Sequence, residues 1–302
     1  MSMTADRALP RSVRKPAAAY SRSRTALLVI VAIELALLYA PTLRWLFDRW
    51  TMSVWHHAHG LFIPPLVAWF VRDELKRHRA LPIEGSAWGF ALLVPAIGIH
   101  ALDAGIHTQL LSAISLVIAL PGLSLLFLGV PRTRVIAFPL AFAAFALPIP
   151  LAVTESLHLV LRNIAVAASS SILPLLGITV FTEGTTLHTV RGTLQVADAC
   201  SGFSTLYAAI AVACLTAYTA ATTWRRAVVL LAAVPIAIAA NIIRVILLVV
   251  LVVWRGETIL QTPLHPLSGI MTFALSLPVI FWLGGPTASK RLATDLEMGD
   301  AS

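Results

Sequence analysis

Long apolar runs, broken by short polar and basic clusters, set the rhythm of this chain. A helix needs about 17 to 25 consecutive apolar residues to cross a bilayer. Candidate runs fall at 26–43, 59–71, 86–104, 107–130, 134–152, 200–221, 227–253 and 266–284. The run at 59–71 is short and is expected to start inside the preceding loop. The pattern predicts an all-α polytopic membrane protein with about eight transmembrane helices. No internal repeat and no low-complexity linker interrupts it.

The longest segment outside these runs is 153–199. Its first half, 154–176, has mixed polarity, with Glu155, His158, Arg162 and Asn163 set among Leu, Val and Ile. It reads as an amphipathic helix lying on the outer leaflet; a ninth, shallow span is the alternative. The stretch from Ile178 to Val196 is rich in Thr and Val and punctuated by Gly184 and Gly192. It reads as a β-hairpin or extended loop. Together they make a small outer cap. The expected organisation is a basic, disordered cytoplasmic tail over 1–25, one transmembrane domain over 26–285, and a cytoplasmic tail over 286–302.

Composition agrees with the pattern. Of 302 residues, 58% are hydrophobic and 12% charged, against about 25% charged in soluble domains. The net charge of +8 raises the question of nucleic acid, but its placement follows the positive-inside rule instead. With the N-terminus in the cytoplasm and the spans alternating, sixteen Lys and Arg residues fall inside and five outside. The inner set includes Arg72, Lys76, Arg77, Arg132, Arg134, Arg225 and Arg226; the outer set is Arg44, Arg49, Arg162, Arg191 and Arg255. Both termini are therefore expected to be cytoplasmic. No small-residue cleavage pattern follows the first run, so it reads as a permanent span and not a signal peptide. Cys200 and Cys214, fourteen residues apart on one apolar stretch, would be roughly 21 Å apart on a helix. No disulfide between them is expected.

Ionisable residues inside spans are functional candidates. Arg244 lies in Asn241-Ile242-Ile243-Arg244-Val245, near the outer end of its run, with Asn241 on the same helix face. The plainer reading is an arginine that snorkels to the interface. Cys200, in Ala199-Cys200-Ser201-Gly202-Phe203, opens a span, where a helix N-terminus would lower a thiol pKa. The plainer reading is a small buried hydrophobe, as for Cys214. His265 begins the last span on the outer side, and an imidazole there exchanges protons near neutral pH; an interfacial histidine is the alternative. A thiol, a guanidinium and an imidazole on one membrane face are the groups that nucleophilic acyl transfer requires. Glu34 in the first span, and Asp198 as a cap for the following helix, read as structural; Asp198 could otherwise orient His265. His100 and Asp103 read as interfacial. His56, His57 and His59 cluster without a carboxylate or thiol partner, so no metal site is expected, and no cofactor.

At these residues the chain resembles the exosortase/archaeosortase family of membrane transpeptidases. The resemblance rests on Ala199-Cys200-Ser201-Gly202-Phe203, on Pro235 followed by Asn241-Ile242-Ile243-Arg244-Val245, and on His265-Pro266-Leu267-Ser268-Gly269 leading to Phe273. His59-Gly60-Leu61 before Pro64 and Pro65 is similar to the family's N-terminal His-Gly segment. His265 at the third position is like the bacterial exosortase branch. The resemblance implies a bacterial inner-membrane enzyme that cleaves a C-terminal sorting signal of exported proteins at the outer face. Such a signal is a short motif of the Pro-Glu-Pro kind, a transmembrane helix and a basic tail. It implies Cys200 as nucleophile, His265 as general acid/base and Arg244 as stabiliser of the oxyanion or thiolate, with Asn241, Asp198, His59, Ser201 and Gly202 in support. The implied partners are the substrate's sorting-signal helix, membrane lipids and an acceptor nucleophile of unspecified kind, with no nucleic acid. Two rival readings use the same residues differently: a hydrolytic protease in which water resolves the thioester, and a solute transporter in which Pro235, Pro139 and Pro148 mark broken helices.

Overall fold

The structure is a computed structural model, and it describes residues 17–52, 58–196 and 201–285. Eleven helices and three strands are assigned among them. Helix α1 (Ala17–Leu38) runs into α2 (Ala40–Thr51) through a 65° bend at Tyr39, with Pro41 in the first turn of α2. A 3-10 turn (Ala58–Leu61) leads into α3 (Ile63–Arg77). Helices α4 (Gly89–Ile106) and α5 (Leu110–Leu128) form an antiparallel hairpin. Two one-turn helices follow, α6 (Val130–Val135) and α7 (Ala137–Phe142), and then α8 (Leu151–Ile172). Strands β1 (Phe181–Glu183), β2 (Thr186–Thr189) and β3 (Gly192–Gln195) precede the last three helices: α9 (Phe203–Thr219), α10 (Thr223–Arg255) and α11 (Leu264–Gly284).

Among the described residues five helices are long and apolar enough to cross a membrane, or six if the bent pair α1–α2 counts as one span. The expected runs at 59–71, 134–152 and 200–221 fall on shorter helices. Residues 134–152 are the clearest departure. Helix ends at Ala146, and Leu147–Pro150 is not helical, because Pro148 and Pro150 bring no N–H to a helical ladder and Pro crowds the preceding turn. Residues 154–176, expected as an amphipathic helix or a ninth, shallow span, lie on a segment, Val153–Leu176, that is long and apolar enough to span. Its charged residues are confined to the first three turns, and the rest from Ile164 is apolar apart from Ser169, Ser170 and Ser171. Pro235 does not break α10, which continues as one helix of 33 residues. The expected hairpin over 178–196 is a three-stranded antiparallel sheet in the order β1-β2-β3.

Two clusters organise the part of the fold that carries the candidate residues. Ala209 and Ala213 of α9, Val229, Ala233 and Ala237 of α10, and Ile280 of α11 pack as one buried group. Small residues let these three helix backbones approach closely, the usual basis of helix association in lipid. Beyond it, Val245, Leu248 and Val249 of α10 pack with Ala165, Val166 and Leu173 and with Leu187 and Leu194 of the sheet. The sheet therefore sits on the second half of α10. Glu257 fastens it there, accepting bonds from Thr193 N–H and Thr193 Oγ1, the latter at 2.7 Å. These bonds hold the exposed Glu257 carboxyl below its usual range.

The basic loops meet at one end of the molecule. Arg132 donates through Nε to the Leu81 carbonyl (3.0 Å) and through Nη2 to the Arg79 carbonyl (3.0 Å). Tyr218 donates to Glu74 Oε1 at 2.6 Å, and Gly285 at the end of α11 lies against the Arg225 guanidinium. In the α4–α5 turn, Asp103 is 1% exposed and not interfacial as expected. Its carboxylate accepts from Thr108 N–H (3.1 Å), Thr108 Oγ1 (2.5 Å) and Ser112 N–H (3.1 Å). This closes a reversal in which His107 and Gln109 both have positive φ. His100 stacks on Tyr39, ring centroids 4.5 Å apart, and Glu34 is exposed on α1.

Candidate functional site

The site is built on one face of α10. Asn241 and Arg244 stand one turn apart, each 5% exposed. Asn241 faces the start of α9: its Nδ2 donates to the Ser201 carbonyl at 3.0 Å. Arg244 faces the start of α11. Its Nε donates to Ser268 Oγ at 3.1 Å, and its Nη2 to the His265 carbonyl at 3.4 Å. Ser268 Oγ in turn donates to that same carbonyl at 2.7 Å. The guanidinium is therefore turned into the bundle and does not snorkel toward water. A single helix thus anchors two chain segments more than sixty residues apart.

Two glycines make the close approaches. Gly202 has φ +82, in the left-handed region, and a methyl group there would come within 2.4 Å of Asn241 Cγ. Only glycine takes that conformation without steric cost. Gly202 is also the N-cap of α9, which begins at Phe203. Gly269 lies beneath Arg244, where a methyl group would sit 3.1 Å from Cζ.

His265 occupies the first turn of α11, before the apolar span that starts at Leu267. Burial first, and then the charge of Arg244, push its imidazole below the usual histidine value. Both effects disfavour the charged ring, so it rests neutral at pH 7 and able to accept a proton.

Ser201 is completely buried. Beyond Asn241, its Oγ lies 2.5 Å from His158 Nδ1 of α8 and accepts from Phe203 N–H at 3.3 Å. The His158 ring lies 4.8 Å from that of Phe203. Rings continue from Phe203 to Tyr207 (6.3 Å) and from Tyr207 to His59 (4.8 Å). A small pocket of about 10 Å³, room for roughly one water, opens beside Ser201 and Gly202, between Leu161, Ala165, Ala237 and Asn241. Of the residues singled out in sequence, the structure thus brings Ser201 and Gly202 to Asn241, and His265 to Arg244. His59 stacks on Tyr207 of α9. Cys200, Asp198, His56 and His57 lie outside the described residues; Cys200 is joined to Ser201 by one peptide bond. Among the described residues no group of three or more His, Cys, Asp or Glu side chains could hold a metal ion.

His158 is the residue that sequence reasoning passed over. It had been absorbed into an amphipathic pattern, and its partner is 43 positions away. The available signal was the polar set Glu155, His158 and Arg162 ahead of an otherwise apolar helix.

The fold and this centre define a class: a helical membrane protein with a buried asparagine–arginine pair that joins two turns, one adjoining a cysteine and one bearing a histidine. Comparison with known families is specific. Residues 50–282, well over half of the chain, match the transmembrane exosortase family, and the chain belongs to that family. No curated protein and no solved structure gives a match. The protein is thus an integral membrane member of a family of sorting peptidases and transpeptidases, whose substrates carry C-terminal sorting signals.

Proposed function

We propose that this protein is a membrane-embedded cysteine transpeptidase. It cleaves a C-terminal sorting signal of the Pro-Glu-Pro kind on exported proteins and passes the new carboxyl end to an acceptor. The observation that carries the reading is the double anchoring by α10: Asn241 holds the carbonyl next to Cys200, while Arg244 holds the turn that bears His265. The neutral resting state of His265 suits it to take the Cys200 proton. The thiolate attacks the scissile carbonyl, and Arg244 stabilises the oxyanion. When the C–N bond breaks, His265 returns its proton to the departing amine, and a thioester to Cys200 remains. An acceptor nucleophile then attacks the thioester, loses its proton to His265 and releases the thiolate.

The excess of basic residues on one side supports a bacterial inner-membrane protein with both termini in the cytoplasm and the centre at the outer face. The same rule keeps the substrate's basic tail inside. Substrate proteins with such tails are therefore held with their motif at the level of Cys200. The test is co-expression with a reporter protein ending in a sorting signal, followed by immunoblot. Processing should be lost in Cys200→Ala with the enzyme still folded in the membrane. Normal processing by that variant would end the proposal.

A further inference from the structure

We infer that His158 is a positioning residue of the nucleophile segment, acting through its hydrogen bond to Ser201. The inference rests on the reading of Cys200 as nucleophile. Ser201, next in sequence to Cys200, is held from two helices. From α10, Asn241 Nδ2 fixes its carbonyl at 3.0 Å. From α8, His158 Nδ1 fixes its hydroxyl at 2.5 Å. Phe203 N–H donates to the same hydroxyl at 3.3 Å.

A serine hydroxyl offers one donor and two acceptor sites, so Oγ can serve His158 and Phe203 N–H at once. Those contacts leave the Ser201 side chain one orientation, and the Asn241 bond leaves its carbonyl one direction. The residue is 0% exposed, so water does not compete for either. Cys200 leads directly into this clamped turn. Gly202, on its other side, is confined by φ +82 and by Asn241. The His158 ring is itself braced by the Phe203 ring at 4.8 Å, which ties α8 to the first turn of α9. Helix α8 thereby presents an imidazole nitrogen to the residue beside the nucleophile.

The experiment uses the full-length protein in membranes with Cys214→Ala, leaving Cys200 as the sole thiol. Two rates are measured: processing of a sorting-signal reporter, and alkylation of Cys200 by iodoacetamide. Displacement of reacting groups by about 1 Å costs on the order of a hundredfold in rate. His158→Ala should therefore lower kcat by about ten- to a hundredfold with KM little changed, and should alter the alkylation rate. His158→Asn, whose amide can put a polar nitrogen near the Nδ1 position, should restore most of the loss. His158→Gln, which reaches the Nε2 position instead, should not. Ser201→Ala should match His158→Ala, and the double variant should be no worse than either. Wild-type processing and alkylation in His158→Ala overturns the inference; so do single losses that multiply in the double variant, or Asn and Gln failing alike. If His158→Ala does not fold, the contrast of Asn with Gln decides. Processing that survives Cys200→Ala would overturn the functional reading itself, a different outcome from an inert His158.

Discussion

Gly202→Ala perturbs the tightest packing at the site, and its consequence follows from the local geometry. A methyl group at residue 202 faces two obstacles. The first is backbone: φ is +82 and ψ is 6, a left-handed conformation that costs an L-residue about 1–2 kcal/mol. The second is the Asn241 side chain, whose Cγ would be 2.4 Å away. Asn241 must move, which breaks its bond to the Ser201 carbonyl in a buried place; leaving such groups unsatisfied costs about 1–3 kcal/mol. Stiffening the unfolded chain returns about 0.4–1 kcal/mol. The net expectation is a loss of about 2–4 kcal/mol. Asn241→Ala already lacks the bond and the Cγ and Oδ1 obstacles but keeps Cβ, 2.7 Å from the added methyl, so Gly202→Ala in that background should cost less than in the wild type, by roughly the 1–3 kcal/mol of the buried bond. Reversible unfolding in mixed dodecyl-maltoside and SDS micelles, followed by circular dichroism, measures all four proteins. A Gly202→Ala variant within about 0.5 kcal/mol of wild type, or a cost unchanged by Asn241→Ala, refutes the reasoning.

Three further outcomes are expected. Arg244→Lys should lower reporter processing by at least about a hundredfold, since an ammonium cannot span Ser268 Oγ and the His265 carbonyl with a planar fork; near-normal processing would sink the assignment. His265, with its value lowered by burial and Arg244, contributes stability that is whole above the ordinary 6.5 and lost as pH falls below it. The acid limb of the processing rate should accordingly have its midpoint below 6.5, and a midpoint above that value contradicts the neutral resting imidazole. Glu257 works in the same sense over a more acid range: its contribution is whole above the ordinary 4.5 and disappears as pH falls through its lowered value. Thr193→Val should make the sheet more protease-sensitive near neutral pH, and unchanged cleavage would show that Glu257 does not fasten the cap.

What could be read from the sequence divides by range. Asn241 and Arg244 were legible as candidates because polar residues three apart in an apolar run share a helix face and are costly in a membrane. The first turn of α11 was legible from His265 and Gly269 beside the same run. The interruption at Leu147–Pro150 was written in Pro148 and Pro150, yet the surrounding Ala, Phe and Leu carried the apolar average across it. Residues 154–176 were legible as a helix, and the four polar side chains of its first turns stand ahead of a mainly apolar stretch beyond Asn163. Asp103 and His158 were beyond reach, since one is defined by a reversal with two left-handed residues and the other by a partner 43 residues away.

The position of Arg244 joins these strands of argument. A cation in a membrane helix is tolerated where it faces the bundle interior and meets polar groups, and Arg244 meets two from the first turn of α11. Removing it would both withdraw a charge and release the turn that carries His265. One turn earlier, Asn241 does the corresponding work for the residue after Cys200. Rotating α10 by a few degrees would disturb both anchors together, whereas moving α9 or α11 would disturb only one. The relative placement of Ser201 and the His265 turn is thus delegated to a helix that carries neither, and the buried alanines of α9 and α10, with Ile280 of α11, hold that helix in register.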